Sequence, residues 1–555
     1  MAARTLLIAC ASLFAFVPAA AQEPPHRHSG PEELGRVRFP ISCASEAQRH
    51  FERAVAWLHS FEYQEAERAF LESATADPTC AMSHWGVAMS QYHPLWAPPN
   101  PAELSKARAA LARARALPPG SDRERGYIAA LSAFFDDAGG ASHRDRTFAY
   151  EAAMDRLHRS HPADPEAAIF HALALIAAGA IDEDAGFDRE RRAATILDQA
   201  LAAQPDHPGV THYLIHGYDY PPLAHLAIGA ARRYAGIAPA SAHAQHMPSH
   251  IFTRLGLWDD AIRSNLAAES AARDFVQRNS LVGTWEQQLH AMDYLVYAYL
   301  QQGQDARARD VRDRLARVER VFPISPTGAY ALSAVPARFA LERRQWREAA
   351  TLALSATVVA ALPWAQFPWG EGNIRFARAV GAARSGNAEA ARTQIAELDR
   401  IRNALAGASG YDWGIQIEIQ RGIAAAWAAE AEGDSAEALR LMRAAADLDD
   451  ATEKHPVTPG AILPAREQLG ELLLEQGKAA GALAEFRASL VRAPRRLSAL
   501  YGGARAARAA GDSAQARAYY RQLSELGCNG DRSRAEIAEA RRFLGRAGRC
   551  PTPAT

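Results

Sequence analysis

The sequence predicts an all-α fold, a solenoid of helical hairpins, on three observations. At 555 residues, 48% of them hydrophobic, the chain is too long for one compact core unless it is a repeat array. From about Ser45 onward, helix-forming stretches alternate with short turns. Marker residues recur 34 positions apart in several places, the length of one helix–turn–helix unit.

The clearest unit runs from Leu463. Gly477 ends its first helix, Ala482 and Phe486 sit on its second, and Pro494 closes it. Thirty-four positions on stand Gly511, Ala516 and Tyr520. Small residues at the first two positions let paired helices approach closely, and the aromatic fills the groove between them. Pro205 and Pro239 keep the same 34-residue spacing, and Ala66, Phe70 and Pro78 keep the offsets of Ala482, Phe486 and Pro494.

On these residues the chain resembles tetratricopeptide repeat proteins, with longer inserts near 95–145, 270–288 and 318–365. The resemblance implies a tetratricopeptide-like, right-handed superhelix of antiparallel helix pairs whose first helices line a concave groove. Two arrays are expected, 45–320 and 321–555. The run Ala242–Phe252 (AHAQHMPSHIF), in a His-rich central block, is similar to exported bacterial repeat proteins.

Residues 1–21 read as an export signal: Arg4, an apolar stretch from Leu6 to Val17, and small residues Ala19–Ala21 before Gln22. The apolar stretch continues past Cys10, against lipidation there, and is too short to cross a bilayer; no later span is expected. A periplasmic or secreted chain would result, opening on a flexible Pro- and His-containing segment, 22–44. In that oxidising compartment the remaining cysteines, Cys43, Cys80, Cys528 and Cys550, predict disulfides. Local pairing, Cys43–Cys80 and Cys528–Cys550, is preferred because terminal repeats have only one neighbour to stabilise them.

Charges nearly cancel, 62 basic against 63 acidic, which argues against a nucleic-acid-binding face. Arg495, Arg496, Arg505 and Arg508 are interleaved with alanines in the manner of solvated helix faces. The chain has no GxSxG, P-loop, HExxH or dinucleotide glycine fingerprint.

What the chain does have is a histidine block. In the unit beginning at Pro208, positions 5, 9 and 12 are His212, His216 and Asp219. In the unit beginning at Ala242, positions 2, 5 and 9 are His243, His246 and His250; in that beginning at Leu289 they are His290, Asp293 and Tyr297. In the family resembled, positions 2, 5, 9 and 12 of each first helix face the groove. Imidazoles four residues apart share a helix face, and contacting helices lie about 8–10 Å apart, so rings on neighbouring turns can meet at one ion. Pro248 removes a backbone hydrogen bond inside the second of these helices.

His212, His216, His246 and His250 are the favoured ligands of a transition metal (Zn, Cu or Fe), with His243, His290, Asp219 and Asp293 as the secondary set. In an enzyme, water on the ion would react and Asp219 or Asp293 would accept its proton. A polar His–Asp–Tyr ladder and a metal-free scaffold binding a peptide or protein in the groove remain alternatives. His59, His84 and His93 read as core or surface histidines. The tryptophans of Pro363–Asn373 read as structural or as the lining of a ligand pocket.

Overall fold

The computed structural model describes residues 33–118, 120–136, 140–182, 186–407 and 410–545. The export segment 1–21 and Cys550, the expected partner of Cys528, lie outside them. The described residues form antiparallel helical hairpins from Ser45–His59 with Tyr63–Ala76 to Leu497–Ala509 with Ser513–Leu526, followed by the helix Ala535–Leu544. Among the described residues the one β pairing is two residues long, Thr284–Trp285 parallel to Val321–Phe322.

The 34-residue register holds. Gly477 and Gly511 turn the chain between paired helices with φ of 73° and 81°, a conformation that favours glycine. Ala482, Phe486, Ala516 and Tyr520 are buried, as are Ala66 and Phe70. A second signature accompanies the aromatic. Gly86 and Gly502 each stand sixteen residues after Phe70 and Phe486, and a Cβ there would lie 2.1 Å and 2.2 Å from those rings. The next helix thus seats its backbone directly on the aromatic.

The solenoid turns back on itself. The Trp258 indole donates to the Arg495 carbonyl at 2.9 Å, Leu497 N to Gln301 Oε1 at 3.0 Å, and Asp531 N to the Gly303 carbonyl at 2.8 Å. Arg496 belongs to this seam rather than to a solvated face. It is fully buried, ion-paired with Glu342 and Glu467, and donates to Tyr297 Oη at 2.7 Å. A guanidinium so deep is retained because two carboxylates and a phenol satisfy it.

Residues 33–44 are packed rather than loose. Phe39 is wholly buried among Phe51, Trp85, Tyr127 and Phe170, and Arg36 N donates to the Asp206 carbonyl at 3.0 Å. Cys43 and Cys80 are joined by a disulfide that ties this segment to the start of the helix Ala81–Met89. Among the described residues one helix, Pro165–Asp182, is long and apolar enough to cross a membrane, but most of it is buried inside the protein. It is a core helix, and its length had no counterpart in the sequence expectation.

Candidate metal centre

Three first helices carry the histidine block: Pro208–Gly217, the pair Ala242–His246 and Pro248–Arg254, and Glu286–Gln301. Pro248 interrupts the second helix as expected, and Met247 joins the two pieces in helical conformation. All six rings, His212, His216, His243, His246, His250 and His290, point into the interior and are at most 5% exposed.

The rings gather into two triads. In His212, His216 and His243, and again in His246, His250 and His290, one nitrogen per ring lies within 4.8 Å of the others. The triads adjoin, with ring centroids of His216 and His250 at 5.9 Å and those of His243 and His246 at 6.2 Å. Phe61 and Trp96 pack against the first triad, and Tyr294 lies against all three rings of the second.

Hydrogen bonds decide the tautomers. Asn265 donates from Nδ2 to the Ala261 carbonyl, which leaves its Oδ1 to accept the Nδ1–H of His246 at 2.7 Å. His250 donates its Nδ1–H to Asp219 Oδ2 at 2.9 Å. Both rings therefore present lone pairs at Nε2, and these atoms face each other 3.0 Å apart. Two nitrogens on a tetrahedral ion with bonds of 2.0–2.1 Å stand about 3.3 Å apart. The Nε2 of His290 is buried without a hydrogen-bond partner.

In the first triad, His212 donates its Nδ1–H to the His59 carbonyl at 2.6 Å and turns Nε2 toward His243 Nε2, 3.2 Å away. A single hydrogen bond between neutral rings would satisfy that pair. The Nε2 of His216 is nevertheless left buried and unpaired.

Burial, then the neighbouring imidazoles, push His212, His216, His243, His246 and His290 well below the ordinary histidine range. Burial lowers His250 too, against the opposing pull of Asp219. Neutral imidazole is the metal-binding form.

Asp219 is saturated. Arg254 Nε donates to its Oδ1 at 2.8 Å, and Lys454 Nζ and His250 share Oδ2. Burial opposes its charge, but Lys454 and Arg254 hold its carboxyl well below the usual range. Asp293 turns away from the rings to a buried ion pair with Arg338, and burial lifts it to about 6. Tyr297 likewise meets Arg338 and Arg496 rather than an imidazole. The structure thus brings six of the eight expected donors together, puts Asp219 behind His250, and leaves Asp293 outside.

The groove over the histidines is filled. The connection between the helices Ser435–Asp450 and Ala465–Glu475, residues 451–464, runs across it like a strap. Lys454 reaches Asp219, the Thr458 carbonyl accepts from Tyr294 Oη at 3.1 Å, and His455 donates from Nε2 to the Trp96 carbonyl at 3.1 Å. Sequence reasoning missed Arg254 and Tyr294, although each stands four residues after a block histidine. Asn265 and Lys454 carry no signal in spacing.

A third cluster, also missed, contrasts with these. Glu166 accepts from His59 Nε2 at 3.0 Å and from His207 Nε2 at 2.8 Å, while Tyr213 Oη donates to His59 Nδ1 at 2.8 Å. Burial would raise Glu166, but the His207 and His59 rings hold it near about 2. Its imidazole Nε2 protons already have acceptors, so this cluster is a polar ladder. It supports the centre through the His59 carbonyl.

No family model matches the chain, and no curated protein matches it. Among solved structures the chain is similar to a monomeric mutant of IFIT1 with m7Gppp-AAAA, at 11% identity over 87% of this chain and 96% of that one, with a TM-score of 0.37. It is also similar to the human IFIT1 dimer with PPP-AAAA, at 12% identity over 88% of this chain and 92% of that one, with a TM-score of 0.35. Likeness at this level carries nothing about ligand or activity.

Proposed function

We propose that the two triads each hold a transition-metal ion and that the protein is a metal-dependent enzyme working inside its own solenoid. One observation carries this reading: the Nε2 atoms of His246 and His250 face each other at 3.0 Å while Asp219 and Asn265 occupy both Nδ1–H groups. Facing lone pairs need a cation between them. A proton is disfavoured, because burial holds both rings below their ordinary pKa. All-imidazole donors without thiolate suit Zn, Cu or Fe.

Three protein ligands with a fourth position open is the set found at catalytic rather than structural zinc, where the ion supplies a Lewis acid. Asp219 is a positioning residue, since its oxygens are spoken for by His250, Arg254 and Lys454. Asn265 and the His59 carbonyl do the same for His246 and His212. Access requires residues 451–464 to lift, and closed they keep water out. The Cys43–Cys80 disulfide supports an oxidising, exported location. A peptide-binding groove is not favoured at the histidines, because the strap already lies there.

Elemental analysis after refilling with Zn or Cu and dialysis tests this. Two ions per chain are expected, falling to none in the His212→Ala, His246→Ala double variant with helicity unchanged. Metal retained by that variant, or none bound by the native chain, overturns the reading.

A further inference from the structure

The hairpin of His143–Ser160 with Pro165–Asp182 carries a side chain that the central histidines do not account for. Between Glu166 and Asp182 the second helix is apolar except for His171, which is 3% exposed. Neither ring nitrogen of His171 has a hydrogen-bond partner. Burying an imidazole unsatisfied is costly, and an apolar side chain of similar size would cost less. A ring kept in that state calls for a partner from outside the protein.

Two carboxylates of the facing helix stand opposite its Nε2. Asp155 Oδ1 is 3.8 Å away and Glu151 Oε1 is 3.9 Å away. Both spans are too long for hydrogen bonds. Two donors on one ion, with bonds of 2.0–2.2 Å, stand about 3.3–3.8 Å apart at tetrahedral to trigonal angles. The spacing therefore suits ligands around a cation better than a hydrogen-bonded pair.

The facing helix supplies its donors from one side. Glu151, Asp155 and His158 recur at i, i+4 and i+7. Asp155 gives Oδ2 to Arg159 and keeps Oδ1 toward His171. Beyond its approach to His171, Glu151 has no hydrogen bond or ion pair among the described residues, so its carboxylate is free to close on an ion. The His158 ring lies 5.7 Å from that of His171, centroid to centroid, and its Nδ1 is likewise buried without a partner. Side-chain exposures of 15% for Glu151 and 21% for Asp155 leave a way in from solvent.

We propose that His171, Glu151 and Asp155, with His158 beside them, form a separate divalent-cation site that takes Zn2+. Imidazole with carboxylate and no thiolate is a donor set that zinc accepts. The ion ties together the two antiparallel helices of one hairpin, a structural role. Open to solvent on one flank, it exchanges readily and leaves on dialysis, unlike ions held under the strap. The proposal does not rest on the central reading, since the two sites share no residue.

The test is calorimetric titration of the full chain with Zn2+, after refilling and dialysis have fixed the occupancy of the central triads. One further ion is expected, with a Kd between about 10 µM and 1 mM, and a thermal midpoint that rises with added Zn2+. Glu151→Gln and Asp155→Asn should each weaken it at least about ten-fold, and His171→Leu should abolish it. Should His171→Leu fail to fold, the two carboxylate variants, at partly exposed positions, decide alone. His225→Ala, at an exposed histidine elsewhere, should leave the event unchanged. The His212→Ala, His246→Ala double variant should keep it, so the two readings fail separately. No further ion in the native chain, equal binding by both carboxylate variants, or a loss in His225→Ala as large as in those variants would overturn the assignment.

Discussion

Asp219 reaches 31 residues along the chain to take the Nδ1–H of His250 at 2.9 Å, and the same carboxylate is held by Arg254 and by Lys454 of the strap. One side chain therefore orients an imidazole and fastens the cover over it. Removing its charge is expected to disturb both.

Asp219→Asn keeps the shape and leaves Arg254 and Lys454 buried with less counter-charge. Metal affinity, measured by competition with a chelator, should fall about 10–100-fold. Cleavage of the strap by a protease should become faster. Native affinity in this variant would mean that Asp219 plays no part in holding His250.

Acidification should destabilise the metal-free protein below about pH 6.5. The block histidines are depressed in the folded state by burial, so below the unfolded value of 6.5 the unfolded chain takes up protons that the native chain refuses. Stability is therefore complete above that pH and is lost as pH falls, by about 1 kcal/mol per pH unit for each ring that stays neutral. Carboxyls raised by burial, Asp293 to about 6 and Glu62 to about 8, with Glu286, Asp449 and Glu467, act with the opposite sign across that interval. The six block rings, joined by the depressed His59, His93 and His455, outnumber them. Urea unfolding at about pH 7 and pH 5 checks this, and equal midpoints would contradict it.

Gly502→Ala should destabilise by about 1–3 kcal/mol, because its Cβ would stand 2.2 Å from the Phe486 ring. Gly481→Ala on the partner helix meets only Leu473, at 3.7 Å, and should be neutral or stabilising through helix propensity. Thermal midpoints of the two variants separate close packing from a general intolerance of the repeat.

The repeat register was legible because Gly477, Ala482 and Phe486 recur 34 positions on, and one structural unit imposes one spacing. The imidazole block was legible for the same reason: His212, His246 and His290 hold groove-facing positions in their helices. What lay hidden depends on chain returning from afar. Glu166 joins His59 and His207 across 107 and 41 residues, and Lys454 reaches Asp219 across 235, so no local pattern announces them. Asp293 shares the block's register, yet the partner that claims it, Arg338, sits on the next hairpin. Arg496 has solvated-looking neighbours in sequence and is buried only because the superhelix closes. Phe39 sat in a segment whose prolines and histidines masked its role as a core residue.

X-ray absorption at the metal edge of the reconstituted protein bears most directly on the facing imidazoles. The account predicts a first shell dominated by imidazole nitrogen at about 2.0–2.1 Å, losing nitrogen when His250 is replaced by alanine. A shell of oxygen alone, or one unchanged by His250→Ala, would contradict it.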